Sequence, residues 1–209
     1  GKKNQYAGIR SRYDGRGNKI SIQYLGVENE LMIRPDYGCA QVSQSYDDWG
    51  NLIKEDYLDE NGNLMIRQEK GYASVENKYE KGKQIESSYF NEKGKLVKHK
   101  DLGYAVIRKE YDKFGQCLSE HYFGSDKKPI VSTKYGCAGF EYEYDEKGNN
   151  IYIRYIGSNG ELMIRGGFGC AQAERIYDET GNIIGERYFD VEHKPVVRPS
   201  VGYSSFQDI

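Results

Sequence analysis

Long apolar runs are missing from this chain of 209 residues. No stretch approaches the ~18 apolar residues that a spanning helix needs, and no basic, apolar leader opens the sequence; no membrane insertion is expected. Charge of one sign is missing too. The net charge is −2, with Lys/Arg and Asp/Glu mixed along the whole length. There is no basic face for nucleic acid and no polybasic block for anionic lipid. The four cysteines (Cys39, Cys117, Cys137, Cys170) lie far apart without a C-x-x-C, and the three histidines (His99, His121, His193) are scattered. Neither zinc spacing nor a dense disulfide framework is indicated, and no metal or cofactor is expected. Tryptophan occurs once, at Trp49, and proline four times.

Tyrosine and glycine are abundant instead, at 20 and 25 residues. Tyrosine suits half-buried β surface, with its ring packed and its hydroxyl wet. Glycine in such excess over proline points to many turns with positive φ.

The tyrosines keep time. Tyr13, Tyr46, Tyr111, Tyr144 and Tyr177 each precede Asp, and Tyr79-Glu80 fills the gap; the spacings are 33, 33, 32, 33 and 33 residues. A second series, Tyr24, Tyr57, Tyr89, Tyr122, Tyr155 and Tyr188, is followed each time by Leu, Phe or Ile. A third marker is "GYA" or "GCA", at 38–40, 71–73, 103–105, 136–138 and 169–171, with "YA" at 6–7 and "GYS" at 202–204. Periodicity of this kind means a repeat architecture. The units are 7–39, 40–72, 73–104, 105–137, 138–170 and 171–203, forming a single repeat domain over 1–209. Neither end has a distinct capping unit, so the tract is expected to be excised from a longer chain.

Each unit reads as three short strands. The first runs from the "GYA" marker to Tyr-Asp, with alternate positions such as Ala40, Val42 and Tyr46 forming a column, so one face turns inward. The second carries Ile20, Ile53, Ile85, Leu118, Ile151 or Ile184, then the second tyrosine. The third is the short "LMIR" (31–34, 64–67, 162–165), varied elsewhere to "LVKH", "PIVS" and "PVVR". A 33-residue unit has too few large apolar side chains to offset the entropy of ordering its backbone, so stacking on neighbours is required. The expected fold is all-β: an antiparallel β-hairpin repeat array, a solenoid or spiral sheet of about 18 short strands. The alternative is a six-bladed β-propeller, for which three strands per unit is lean.

"DENGN" at 59–63 sets Asp59, Asn61 and Asn63 around Gly62 and could suggest a calcium loop. An EF-hand needs twelve residues ending in a bidentate Glu between helices. The reading is instead a hairpin corner, as in "DGRGN", "DDWGN", "DKFGQ", "DEKGN" and "DETGN": Asp bonds its own backbone, and Gly three residues on takes the left-handed conformation.

"YFGSDKKPIVSTKYGCAGFEYEYDEKGNNIYIRYIGSNGELMIR" (122–165) resembles a tandem tract found in many bacterial proteins, of generic form "GYA-x5-YD-x2-GN-x5-YFD-x2-GKPV". It also resembles the YD repeats of RHS-type proteins, which are shorter and lack the "GYA" and "LMIR" elements. That resemblance implies curled antiparallel sheet carried by toxin and surface proteins, and surface attachment or scaffolding rather than catalysis.

Candidate sites are few. Cys39, Cys137 and Cys170 occupy the slot held elsewhere by Tyr6, Tyr72, Tyr104 and Tyr203, which reads as a packing position for a small hydrophobe; a nucleophile would need a base, and no His repeats beside it. Aromatics peak in the fifth unit (Phe140, Tyr142, Tyr144, Tyr152, Tyr155). Tyr142 and Tyr152 replace polar or small residues of the other units and are taken as an exposed patch for a sugar ring or protein partner, against a cross-strand pair that only stabilises sheet. Trp49, at a corner, is a third ligand-binding candidate. Arg34, Arg67, Arg165 and Arg198 could form a basic ladder, or snorkel and pair with neighbours. No two carboxylates stand out as an acid/base pair, and the irregular third unit offers only Glu80, Lys81 and Lys83.

The expected function is non-enzymatic: a scaffold or interaction segment of a bacterial surface or secreted protein, presenting a side wall to a protein or polysaccharide. The alternative is a lectin-like carbohydrate-binding module. Localisation is expected to be extracellular or at the cell surface.

Overall fold

The computed structural model describes residues 6–197 and the backbone of 205–207; Arg198, Tyr203 and the "GYS" marker lie outside them. The chain divides into two compact units, residues 1–101 and 102–209, each built from three repeats. The first holds β1 (Gly8–Tyr13), β2 (Lys19–Leu25), β3 (Gln41–Tyr46), β4 (Leu52–Leu58), β5 (Ser74–Glu80) and β6 (Lys83–Phe90). The second holds β7 (Val106–Tyr111), β8 (Cys117–Phe123), β9 (Gly139–Tyr144), β10 (Asn150–Ile156), β11 (Gln172–Tyr177), β12 (Ile183–Phe189) and β13 (Ser205–Gln207). No helix occurs among the described residues. In each unit the strands follow chain order in one open antiparallel sheet. The fold is the expected all-β hairpin repeat array. Propeller blades would each end their own sheet, whereas here β2 pairs with β3, β4 with β5, β8 with β9 and β10 with β11.

The hairpin corners are the Asp-Gly devices read from the sequence. Asp59 Oδ1 accepts the N–H groups of Asn61 (2.9 Å) and Asn63 (2.8 Å), and Gly62 has φ +83°. Asp14, Asp47, Asp145 and Asp178 repeat this pattern. The third repeat is one residue short because its corner is a two-residue turn, with positive φ at both Lys81 (49°) and Gly82 (76°), as a tight hairpin of right-handed twist requires.

Each hairpin carries a bulge beside its corner. Ser45 pairs with Lys54 but Tyr46 with Leu52, leaving Ile53 without a cross-strand partner. Ile20, Ile85, Leu118, Ile151 and Ile184 are skipped in the same way. The apolar column of the second strand is therefore a column of bulge residues.

The "LMIR" stretch does not form a third strand. Among the described residues it makes isolated bridges only, such as Leu25↔Leu31 and Arg34↔Cys39, so the strands number two per repeat rather than three. The reason is competition for one edge. The Tyr57 carbonyl accepts from Met65 N–H (2.9 Å), while the Tyr57 N–H donates to the Ala73 carbonyl of the next repeat (2.9 Å). One residue of bridge is all that fits before the next hairpin takes over. The stretch then returns over the sheet and closes in a single turn, Gly38 N–H to Arg34 O (2.7 Å) and Gly71 N–H to Arg67 O (2.7 Å), at glycines with φ of +78° and +82°. That turn is why the "GYA" marker begins with Gly.

Return loop and sheet enclose the core, on what we call the aromatic face. Tyr24, Cys39, Val42, Tyr57 and Tyr72 cluster there, with Tyr37, Met65 and Val97 packed against them. The tyrosine of Tyr-Asp joins successive repeats: Tyr46 Oη donates to Lys19 O (3.1 Å), Tyr79 to Leu52 O (3.2 Å), Tyr144 to Cys117 O (2.9 Å) and Tyr177 to Asn150 O (2.9 Å). Each reaches the first residue of the preceding repeat's second strand.

Candidate functional site

The bulge at Ile151 decides where the aromatic candidates lie. Without it, Tyr152 would stand opposite Tyr142. With it, Tyr142 pairs with Ile153 and Tyr152 with Glu143, and cross-strand partners share a face. The two rings sit on opposite sides of the sheet and form no common patch. Tyr142 is half-buried on the aromatic face, its ring parallel to Phe140 at 6.1 Å. Burial holds its phenol protonated well above the ordinary range. Trp49 belongs to the first compact unit, at the corner of the second repeat, and is 86% exposed.

Tyr152 lines a cleft of about 550 Å³ between the corners of the fifth and sixth repeats. Its floor is Ile151, Tyr152 and Ile176, and its rim carries Asp145, Glu146, Asp178 and Glu179. Tyr152 Oη donates to Glu174 Oε1 (3.1 Å), which fixes the ring across the strand gap. Its phenol is raised, first by burial and then by that bond.

Asp145 and Asp178 are held below the usual carboxylate range, chiefly by the side-chain amides of Asn149 and Asn182. The rim is anionic at neutral pH, and Lys147 spans it by donating to Glu179 O (3.3 Å). The first compact unit repeats this strap, with Arg16 donating to Asp48 O (2.7 Å) and Oδ1 (3.0 Å). Sequence reasoning missed the strap; its signal was a cation at the third corner position and an acid 32 residues later.

The remaining candidates are structural. Cys39, Cys137 and Cys170 are fully buried and free of disulfides, and burial pushes the thiols of Cys39 and Cys137 up to about 11. All three occupy packing positions in the core, and thiols raised in this way are poor nucleophiles at neutral pH. A second pattern explains why Cys can replace Tyr. Where the slot is Cys39, Cys137 or Cys170, the residue two before it is Tyr37, Tyr135 or Phe168; where it is Tyr72 or Tyr104, that residue is Lys70 or Leu102. Each return loop supplies one ring, from one side or the other of its glycine. Tyr37 lies 5.7 Å from Tyr24, Tyr72 5.7 Å from Tyr57, and Phe168 6.1 Å from Tyr155. This exchange was present in the sequence as a covariation between positions two apart.

Among the described residues, the arginines of this series pack onto rings and neighbouring loops, and Arg198 lies outside them. Arg67 is buried, with its guanidinium 3.9 Å from the Tyr37 ring centre and 4.8 Å from that of Tyr57. Its Nε donates to Tyr37 O (2.9 Å), and Arg165 Nε to Tyr135 O (2.7 Å). They clamp one return loop to the previous one through these Nε bonds, to which Arg67 adds its cation–π contact with Tyr37.

No protein-family model matches the chain, and no curated protein matches it. Among solved structures, it is similar to a chain of the crystal structure of TcdB2-TccC3-Cdc42, at 14% identity and a TM-score of 0.36, over 83% of this chain and 9% of that one. It is also similar to a chain of the TcdB2-TccC3-TEV crystal structure, at 13% identity and a TM-score of 0.33, over 87% and 10%. A third similarity is to the Photorhabdus luminescens Tc holotoxin pore, at 16% identity and a TM-score of 0.33, over 79% and 8%. The chain thus spans a tenth or less of the length of these structures.

Proposed function

We propose that this chain is a non-catalytic scaffold segment of a bacterial surface or secreted protein, and that its hairpin corners present a side wall to a polysaccharide or protein partner. The supporting observation is the cleft between the fifth and sixth corners, where a fixed aromatic ring lies below an anionic rim. The corner aspartates are engaged by their own turns, so the rim is set before any ligand arrives and costs little to order on binding. Tyr152 offers a ring edge to a sugar or an apolar side chain, and Glu146 and Glu179 offer acceptors to hydroxyl or cationic groups.

A lectin-like reading is favoured by the same ring and carboxylates, which suit a hydroxyl-rich ligand. Trp49 supplies a second, separate exposed ring. The test is a glycan array and a pull-down with the intact chain and with Tyr152→Ala and Trp49→Ala. Loss of a captured glycan or protein with either substitution supports the proposal. Unchanged profiles with both would remove the binding assignment.

A further inference from the structure

The outer edge of β1 differs from those of β3, β5, β9 and β11 in the state of residues that do the same job. Val42 is 1% exposed and Phe140 8%, but Ile9, at the matching position, is 51% exposed. The Ala40, Ala73, Ala138 and Ala171 carbonyls each accept the N–H of a second-strand tyrosine from the preceding repeat, at 2.9, 2.9, 2.8 and 3.0 Å. Among the described residues, no backbone N–H reaches the Ala7 carbonyl. Tyr46 and Tyr79 donate to the preceding repeat, while Tyr13 is 57% exposed.

Arg34 shows the same difference on the return loop. Arg67 and Arg165 direct Nε to the previous loop's carbonyl. Arg34 instead directs Nε and Nη2 to its own neighbour Asp36, at 2.7 and 2.8 Å, with its guanidinium 4.7 Å from the Tyr6 ring centre.

We propose that this edge is a docking surface for a further repeat of the same pattern, which adds its second strand to β1 and its return loop to Arg34. The occupant follows from continuity with the existing interfaces: each of the four groups has a counterpart elsewhere that is satisfied by one such strand and loop. A tyrosine N–H of the incoming strand bonds the Ala7 carbonyl, the residue two before that tyrosine (Ile or Glu in the existing interfaces) stands opposite Ile9, and a backbone carbonyl near its corner accepts from Tyr13. This is strand addition to an exposed edge, with side-chain pockets setting the register. It is independent of whether the corner cleft binds a ligand.

The test is a chain in which residues 138–169 are copied directly ahead of Tyr6, compared with the parent by thermal unfolding and hydrogen exchange. The expected result is one cooperative transition at a higher midpoint and slowing of β1 amide exchange by at least about tenfold. Ile9→Lys and the milder Tyr13→Phe should leave the parent's midpoint nearly unchanged and lower that of the extended chain. The proposal is overturned if the copy unfolds separately with β1 exchange unchanged, or if both substitutions affect the two chains equally. Self-association of the parent that Ile9→Lys abolishes would assign the edge to a second copy and overturn it as well.

Discussion

Repeats two, four and six differ from repeats one, three and five at a single cross-strand pair on the aromatic face. The even repeats place Gln44 opposite Glu55, Lys109 opposite Glu120 and Arg175 opposite Glu186. In each, the glutamate accepts from the buried tyrosine two residues on: Tyr57 to Glu55, Tyr122 to Glu120 (2.6 Å) and Tyr188 to Glu186. The odd repeats have Ser11 opposite Ile22, Asn77 opposite Ser87 and Tyr142 opposite Ile153. The backbone is the same, but the half-buried pair is solved twice. A carboxylate can lie beneath the aromatic layer only where a donor faces it from the adjacent strand. The block of distinct chemistry is therefore two repeats long, although the fold repeats every 33 residues or so.

The largest effect should come from breaking an even pair. Glu120→Ala leaves the fully buried Tyr122 hydroxyl and the Lys109 ammonium without their partner, and should cost about 2–4 kcal/mol in urea unfolding. Converting both residues to the first repeat's pair, Lys109→Ser with Glu120→Ile, removes the stranded ammonium but not the unpaired Tyr122 hydroxyl, and should recover only part of that loss. Conversely, Ile153→Glu in the fifth repeat sets a carboxylate opposite Tyr142 without a cation and should cost about 2 kcal/mol. Adding Tyr142→Lys should restore stability; if it does not, the odd and even frames are not interchangeable.

The return loops allow a smaller, independent exchange. Cys39→Tyr adds a second ring beside Tyr37 and should cost about 1–2 kcal/mol through overpacking. Combining it with Tyr37→Lys, which writes the second repeat's Lys-Gly-Tyr into the first, should remove that cost.

The corner aspartates of odd and even repeats should respond alike to acid. Asp47 and Asp145, one from each class, both have folded-state values depressed chiefly by an asparagine side chain. Depressed carboxylates contribute stability that is complete above the unfolded value of about 3.9 and is lost as pH falls through the folded values. Midpoints should therefore be insensitive to these groups between roughly pH 5 and 7, and fall below about pH 4. Asp47→Asn and Asp145→Asn should flatten that acid limb to similar extents.

Much of the fold was legible because its markers do local work. Tyr-Asp announces a corner whose aspartate bonds its own backbone, and the tyrosine rivets one repeat to the last. The bulge was not legible: Ile53 and Ile151 look like ordinary strand residues, and only the register shows that they lack partners. That one uncounted residue placed Tyr142 and Tyr152 on a single face in the sequence reading. "LMIR" reads as a strand because it alternates, but the edge it would need is taken by the next repeat. Of the candidate site, Tyr152 was visible as a departure from the repeat and Trp49 as an aromatic at a corner, while the straps by Arg16 and Lys147 needed two corners in view at once.

The central claim is that a repeat is held by its neighbours, through the tyrosine rivets and the clamped return loops. Thermal unfolding of the single excised repeat 138–170, followed by far-ultraviolet circular dichroism, tests it most directly. The account predicts a featureless, non-cooperative trace with little strand signal at any temperature. A sigmoidal, reversible transition from that lone segment would contradict it.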